Sequence, residues 1–233
     1  MGKRIIPRAR GKGGPRYKTP SHRFLGSVDY FPSIGKGNVI DIVHDPGRSA
    51  PVAIIKFEDG KEILHVAPEG ISVGDWITYQ GEPVVGNVCS ISKIPEGTKI
   101  FGLETFPGNG PKLCRSSGVF ATIVSRTGDK VTVLFPSGKS KIFDGRCRAT
   151  IGIPAGSGRV EKPWVKGSKH GFQMWSRGKI FPRSKGVAMT PTDHPYGGRS
   201  KRPRPSRAVS RDAPPGAKVG AISPRRMGKR KGR

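Results

Sequence analysis

Basic side chains set beside glycine or aromatic residues recur along this chain, and that pairing suits contact with a polyanion. The run Gly108-Asn109-Gly110-Pro111-Lys112-Leu113-Cys114-Arg115-Ser116-Ser117-Gly118 is the richest example. Its glycines predict room for backbone N–H groups to approach phosphates, while Lys112 and Arg115 supply charge. Arg48 follows the Asp45-Pro46-Gly47 turn. Arg146 and Arg148 flank Cys147, and their i, i+2 spacing predicts both guanidiniums on one face of a strand. Further on, Lys169, Trp175, Arg177, Lys179 and Arg183 alternate with Trp164, Phe172 and Phe181. Such aromatics either form a satellite core or stack on bases and sugars. In Asp193-His194-Pro195-Tyr196-Gly197-Gly198-Arg199, a rigid surface turn carries a His, two glycines and a cation that would allow close backbone approach to RNA.

Other chemistries find little support. Ser137-Gly138-Lys139-Ser140 resembles the end of a phosphate-binding loop, but Val133 stands where the first glycine is required. The pairs Gly11/Gly13, Gly35/Gly37 and Gly156/Gly158 lack the third glycine of a dinucleotide fingerprint, having Arg16, Ile40 and Glu161 there. Cys89, Cys114 and Cys147 form no C-x-x-C and read as small buried hydrophobes. His22, His44, His65, His170 and His194 make no H-x-x-x-H pattern, and no metal cluster, paired carboxylates or serine elbow is evident. The chain is expected not to be an enzyme, to hold no metal of its own and to need no cofactor.

The elements that position these residues are short strands. The longest stretch without Gly or Pro is Val119–Thr127, too short for the usual helix of about 11–12 residues. Val52–Phe57 and Lys61–Val66 flank Asp59-Gly60, a strong hairpin signal. Ser27–Phe31, Asn38–Val43 and Trp76–Gln80 are further candidate strands. Val119–Ser125, Lys130–Phe135, Lys141–Phe143 and Cys147–Ile151 form a second cluster around Gly128 and Gly138. Turn signals every 8–12 residues predict an all-β chain of two small barrels in series, divided near Tyr79–Asn87.

Charge is distributed unevenly. The 233 residues hold 43 Lys plus Arg and 16 Asp plus Glu, for +27. Residues 1–23 carry eight bases and no acid, 24–160 carry fifteen against thirteen, and 161–233 carry twenty against three, so the ends hold +25. The whole chain holds 34 Gly and 22 Pro; its ends, filled with both and lacking acids to pair their bases, cannot collapse alone and are suited to releasing counterions from phosphates. The N-terminal run offers Arg8, Arg10, Lys12, Arg16, Lys18, His22 and Arg23. No apolar run is long enough for a membrane span, and no signal-peptide core is evident. The chain therefore reads as soluble, intracellular and bound to nucleic acid. A non-specific DNA-compacting protein is the alternative class, but Gly-rich loops between strands suit irregular folded RNA better than uniform duplex.

The ordered motifs Asp45-Pro46-x-Arg48-Ser49-Ala50, Arg115-Ser116-x-Gly118, Ser137-Gly138, Cys147-Arg148-Ala149-Thr150-Ile151-Gly152 and Gly186-Val187-Ala188-Met189…Asp193-His194-Pro195 resemble those of the universal ribosomal large-subunit protein two family. His44-Asp45-Pro46…Ala50-Pro51 looks like its archaeal and eukaryotic branch. The chain departs from the family's usual pattern at Pro111, Thr190 and Arg199. The resemblance implies an oligonucleotide-binding (OB) barrel at 24–82 and an SH3-like barrel at 83–160. Basic extensions would occupy 1–23 and 161–233, the latter irregular. It implies a cytoplasmic, ribosomal protein that binds large-subunit rRNA near the peptidyl-transferase centre and supports subunit association, tRNA binding and peptide-bond formation. Neighbouring ribosomal proteins and the small subunit would be partners, there would be no membrane, and Mg²⁺ would enter only with the rRNA. Arg48, Lys112, Arg115 and Arg148 are the expected core RNA contacts, with His194 as RNA contact or loop support.

Overall fold

Alternation of apolar and polar residues builds most of the strands, as in Lys130–Leu134, where Val131 and Val133 turn inward and Lys130 and Leu134 outward. The computed structural model describes residues 6–18, 22, 25–198, 208–214 and 221–222. Ten strands form one sheet: β1 Gly35–Val43, β2 Val52–Phe57, β3 Glu62–Val66, β4 Trp76–Tyr79, β5 Val88–Ser90, β6 Lys99–Phe101, β7 Ala121–Thr127, β8 Lys130–Leu134, β9 Ser140–Asp144 and β10 Arg148–Ile151. Their order is β3-β2-β1-β4-β5-β10-β6-β7-β8-β9. The first four are a β1–β2–β3 meander with β4 returning beside β1, the Greek-key arrangement. In the second group β6 to β9 form a meander and β10 returns antiparallel to β6. The fold is thus all-β, an OB-fold barrel followed by an SH3-like barrel.

Each group has its own core. Val39, Ile55, Phe57, Ile77 and Tyr79 join Tyr30 and Phe31 in the first, and Phe31 stacks on Phe57 at 3.9 Å. Ile91, Ile94, Ile100, Ile123, Val131, Val133 and Ala149 fill the second. Burying side chains of this kind stabilises by roughly 1.5–3 kcal/mol each. The groups are not independent: β4 and β5 pair through Tyr79 and Val88, and Val28, Ala50, Val66 and Phe101 form a third cluster with residues from both.

Several expectations change. Ser27–Phe31 is no strand; Val28, Tyr30 and Phe31 are buried, and Asp29 donates one backbone bond to Leu64, but the segment joins no sheet ladder. β5 and β6, three residues each, were too short to show a period. The expected irregular 161–233 holds a ten-residue helix, α2, Gly167–Ser176. Its Gly171 is buried, with the Phe181 ring at ordinary contact distance, 3.4 Å, from where a Cβ would stand. A short helix, α1, spans Ile6–Lys12. Contacts divide the chain into two units, Thr19–His170 and Met1–Lys18 with Gly171–Arg233; the sheet lies in the first, and the second holds α1 and a parallel pair Ala208–Val209 with Ala221–Ile222.

One buried charge ties the larger unit together. Glu104 is fully buried and accepts from Arg148 Nε at 3.2 Å, Nη2 at 2.9 Å and backbone N–H at 2.9 Å. Arg148 Nη1 donates onward to the Phe31 carbonyl at 2.6 Å, and its guanidinium lies 5.4 Å from the Tyr30 ring. Tyr30 in turn donates to the Gly102 carbonyl at 2.7 Å, and its hydroxyl lies 2.8 Å from that of Thr150. Removing one partner leaves the other charge unpaired in the interior. Glu104→Ala is expected to lower unfolding free energy by about 3–5 kcal/mol in a urea titration, and Glu104→Leu with Arg148→Met to recover much of that. A loss under about 1 kcal/mol in the single variant would contradict the pairing.

Candidate nucleic-acid interface

The loop from Thr105 to Gly118 is shaped from beneath. Glu104 also accepts the N–H groups of Gly108 at 3.2 Å and Gly110 at 3.0 Å. Lys112 and Leu113 donate their backbone N–H to the Leu103 carbonyl, and Gly118 to Pro154. The expectation that the N–H groups of Gly108 and Gly110 reach phosphates is therefore corrected: both point inward at a carboxylate. What the loop presents is side chains, with Lys112 and Arg115 exposed above a backbone that is internally bonded.

Arg159, not singled out in the sequence, belongs beside them. Its Nε donates to Ser117 Oγ at 2.9 Å, and Ser117 N–H donates to Ser49 Oγ at 3.2 Å. Ser117 is buried while Arg159 is exposed, so a loop serine fixes the base of a solvent-facing guanidinium. Only its position after Gly156-Ser157-Gly158 could have hinted at this.

The other expected core contacts face inward. Arg148 is 7 % exposed and held by Glu104 and Phe31, so its expected place among the RNA contacts is corrected. Arg48 pairs with buried Asp45 and donates to the Gly26 carbonyl, while Gly47 N–H donates to Asp45 at 2.7 Å; the guanidinium holds its own turn. Arg146 and Arg148 do not share a strand face, because β10 begins at Arg148 and Arg146 lies in the preceding turn. Arg146 is exposed and grips Asp144 through Nε at 3.1 Å and Nη2 at 2.8 Å, which holds that carboxyl down at about 2.

On α2, Lys169, Phe172 and Trp175 follow one another at i+3 spacing, which groups them on adjoining faces. Phe172 and Trp175 are 67 % and 51 % exposed and meet edge to face at 5.4 Å. Trp164 stacks on His170 at 5.4 Å. Large aromatics left open beside a cation have the form that suits stacking on bases. Lys179 and Arg183 are exposed farther along, and Arg177 is partly buried. Arg8, Arg10, Lys12, Arg16, Lys18 and His22 are exposed, whereas Arg23 and Arg199 lie outside the described residues.

The His194 loop is built around its own ring. Tyr196 N–H donates to His194 Nδ1 at 3.1 Å, so the neutral imidazole carries its proton on Nε2. A side chain at Gly186 would strike that imidazole, and one at Gly197 would strike the carbonyls of Met189 and Thr190. Gly197 N–H donates to His194 and Gly198 N–H to Met189, at 2.9 and 3.3 Å. These glycines let the loop close on itself, in place of the expected approach of their backbone to RNA.

Burial sets the remaining titrating groups. The His65 imidazole is pushed down to about 3 inside the core, where Nδ1 lies 3.1 Å from the Tyr79 hydroxyl. Desolvation raises the thiols of Cys89, Cys114 and Cys147, Cys114 to about 11, which leaves them protonated and unreactive at neutral pH. Among the described residues, no group of three or more His, Cys, Asp or Glu is placed to hold a metal ion, and no helix is long and apolar enough to cross a membrane.

Comparison with known proteins agrees with this architecture. Residues 8–79 match the family described as Ribosomal Proteins L2, RNA binding N-terminal domain, and residues 84–218 match Ribosomal Proteins L2, C-terminal domain. The chain is 46% identical over 242 residues to the large ribosomal subunit protein uL2 of Methanothermobacter thermautotrophicus, covering 99% of this chain and 100% of that one. It is 47% identical over 238 residues to uL2 of Methanococcoides burtonii, at 99% and 100% coverage, and 45% identical over 239 residues to uL2 of Methanopyrus kandleri, at 98% of each. Two family domains matched in order, and near-complete coverage at this identity, establish that the chain belongs to the ribosomal protein L2 family.

Proposed function

We propose that the chain is a structural component of the large ribosomal subunit that binds rRNA, placed near the peptidyl-transferase centre. There it would support subunit association, tRNA binding and peptide-bond formation without reacting itself. The observation that carries the RNA contact is the loop over Glu104. Its backbone is occupied internally, while Lys112, Arg115 and the adjoining Arg159 are left to solvent. Such cations suit phosphates, and the open aromatics of α2 suit bases or sugars. The basic ends would follow grooves between rRNA helices, and Mg²⁺ belongs to the rRNA in this reading. Neighbouring ribosomal proteins and the small subunit are the other proposed partners. His194, pinned through Nδ1 by Tyr196, serves this reading as a loop support and an Nε2 donor to RNA.

The assignment is tested by sedimenting cell extract. The chain is expected in the large subunit and retained at moderate salt; its absence there would refute the proposal. Contact by the loop is tested by the salt dependence of binding to an rRNA fragment. Lys112→Ala with Arg115→Ala is expected to lower the slope of log K against log salt by about 1–2. An unchanged slope would remove both side chains from the interface.

A further inference from the structure

The near-neutral middle of the chain hides two opposite charges. Residues 24–82 carry nine acids against four bases, or −5, whereas 83–160 carry four acids against eleven bases, or +7. The first barrel therefore carries a net negative charge, and its exposed acids suit a cationic partner.

Two of these acids line a cleft of about 440 Å³ between the loop after β3 and the loop between β4 and β5. Glu69 and Asp75 supply carboxylates, Ile71, Trp76 and Val85 supply apolar wall, and no Lys or Arg lines it. Trp76 is 51 % and Val85 65 % exposed. The Trp76 ring already takes a cation, Lys36 Nζ, at 4.8 Å. Glu69 Oε1 accepts from Ser157 Oγ at 3.1 Å and Asp75 Oδ2 from Ser72 N–H at 2.7 Å, so both carboxylates are held in position.

We infer that this cleft docks a Lys/Arg-rich extended segment of another protein. The aliphatic stem of a long cationic side chain would lie along Ile71 and Val85, with its charged head between the Trp76 ring and the two carboxylates. A phosphate in the same place would face two carboxylates against the single ammonium of Lys36 on the Trp76 ring, which disfavours RNA as the occupant. This goes beyond the rRNA role: it gives the first barrel a protein-facing side.

The three tryptophans allow a direct test by ¹⁹F NMR of the full chain labelled with 5-fluorotryptophan. Trp76→Phe assigns the resonance. A short peptide of alternating Arg and Gly is expected to shift the Trp76 signal saturably, and a short RNA hairpin to leave it in place. Glu69→Lys is expected to weaken the peptide about tenfold or more, and Asp129→Lys, in the β7–β8 turn of the second barrel, less than about twofold. An unmoved Trp76 with peptide, a Trp76 shift driven by RNA, or equal weakening by the two charge reversals would each overturn the inference.

Discussion

Much of the described sheet depends on one carboxylate in a place where water cannot reach it. Glu104 follows the second core and accepts five N–H groups: three from Arg148 and one each from Gly108 and Gly110. A buried anion survives only when paired and fully bonded, so each of these groups is fixed by the requirement to satisfy it. Arg148 carries the constraint onward to Phe31 and Tyr30, in the core of the first barrel. The chain thus joins two barrels by an ionic network beside their shared apolar cluster, and the same carboxylate sets the shape of the loop above.

That arrangement divides labour among the cations. Arg148 and Arg48 face inward or along the turn they stabilise, and their loss would be felt first as loss of structure. Lys112, Arg115 and Arg159 face solvent, the first two from a loop bonded internally through Gly108, Gly110, Lys112, Leu113 and Gly118, so their charge is available to a partner. Glycine plays a matching part. In the loop over Glu104 and in the His194 loop, it lets the chain approach itself closely, which rigidifies the frame from which side chains project.

What was legible in the sequence was local. Asp59-Gly60 marked the β2–β3 hairpin, and the alternation of Val131 and Val133 marked β8, because turn chemistry and a period of two depend only on neighbours in the chain. The charge split and the motif order were equally plain. Glu104 was not, since its partner Arg148 lies 44 residues away and a lone Glu between Leu103 and Thr105 breaks no pattern. The inward turn of Arg148 was missed for the same reason, as was the link from Arg159 to Ser117 across 42 residues. The helix α2 was hidden because it begins at Gly167 and is interrupted by Gly171, so it shows no glycine-free stretch of helical length.

The central claim, that one buried carboxylate holds both the loop and the barrel junction, is tested most directly by native-state hydrogen exchange. The amides of Gly108, Gly110 and Arg148 should exchange together, at a rate set by cooperative opening, and all three should lose protection in Glu104→Gln. Independent exchange of Gly108 and Gly110, with Arg148 still protected in that variant, would show that loop and junction are held separately and would contradict the account.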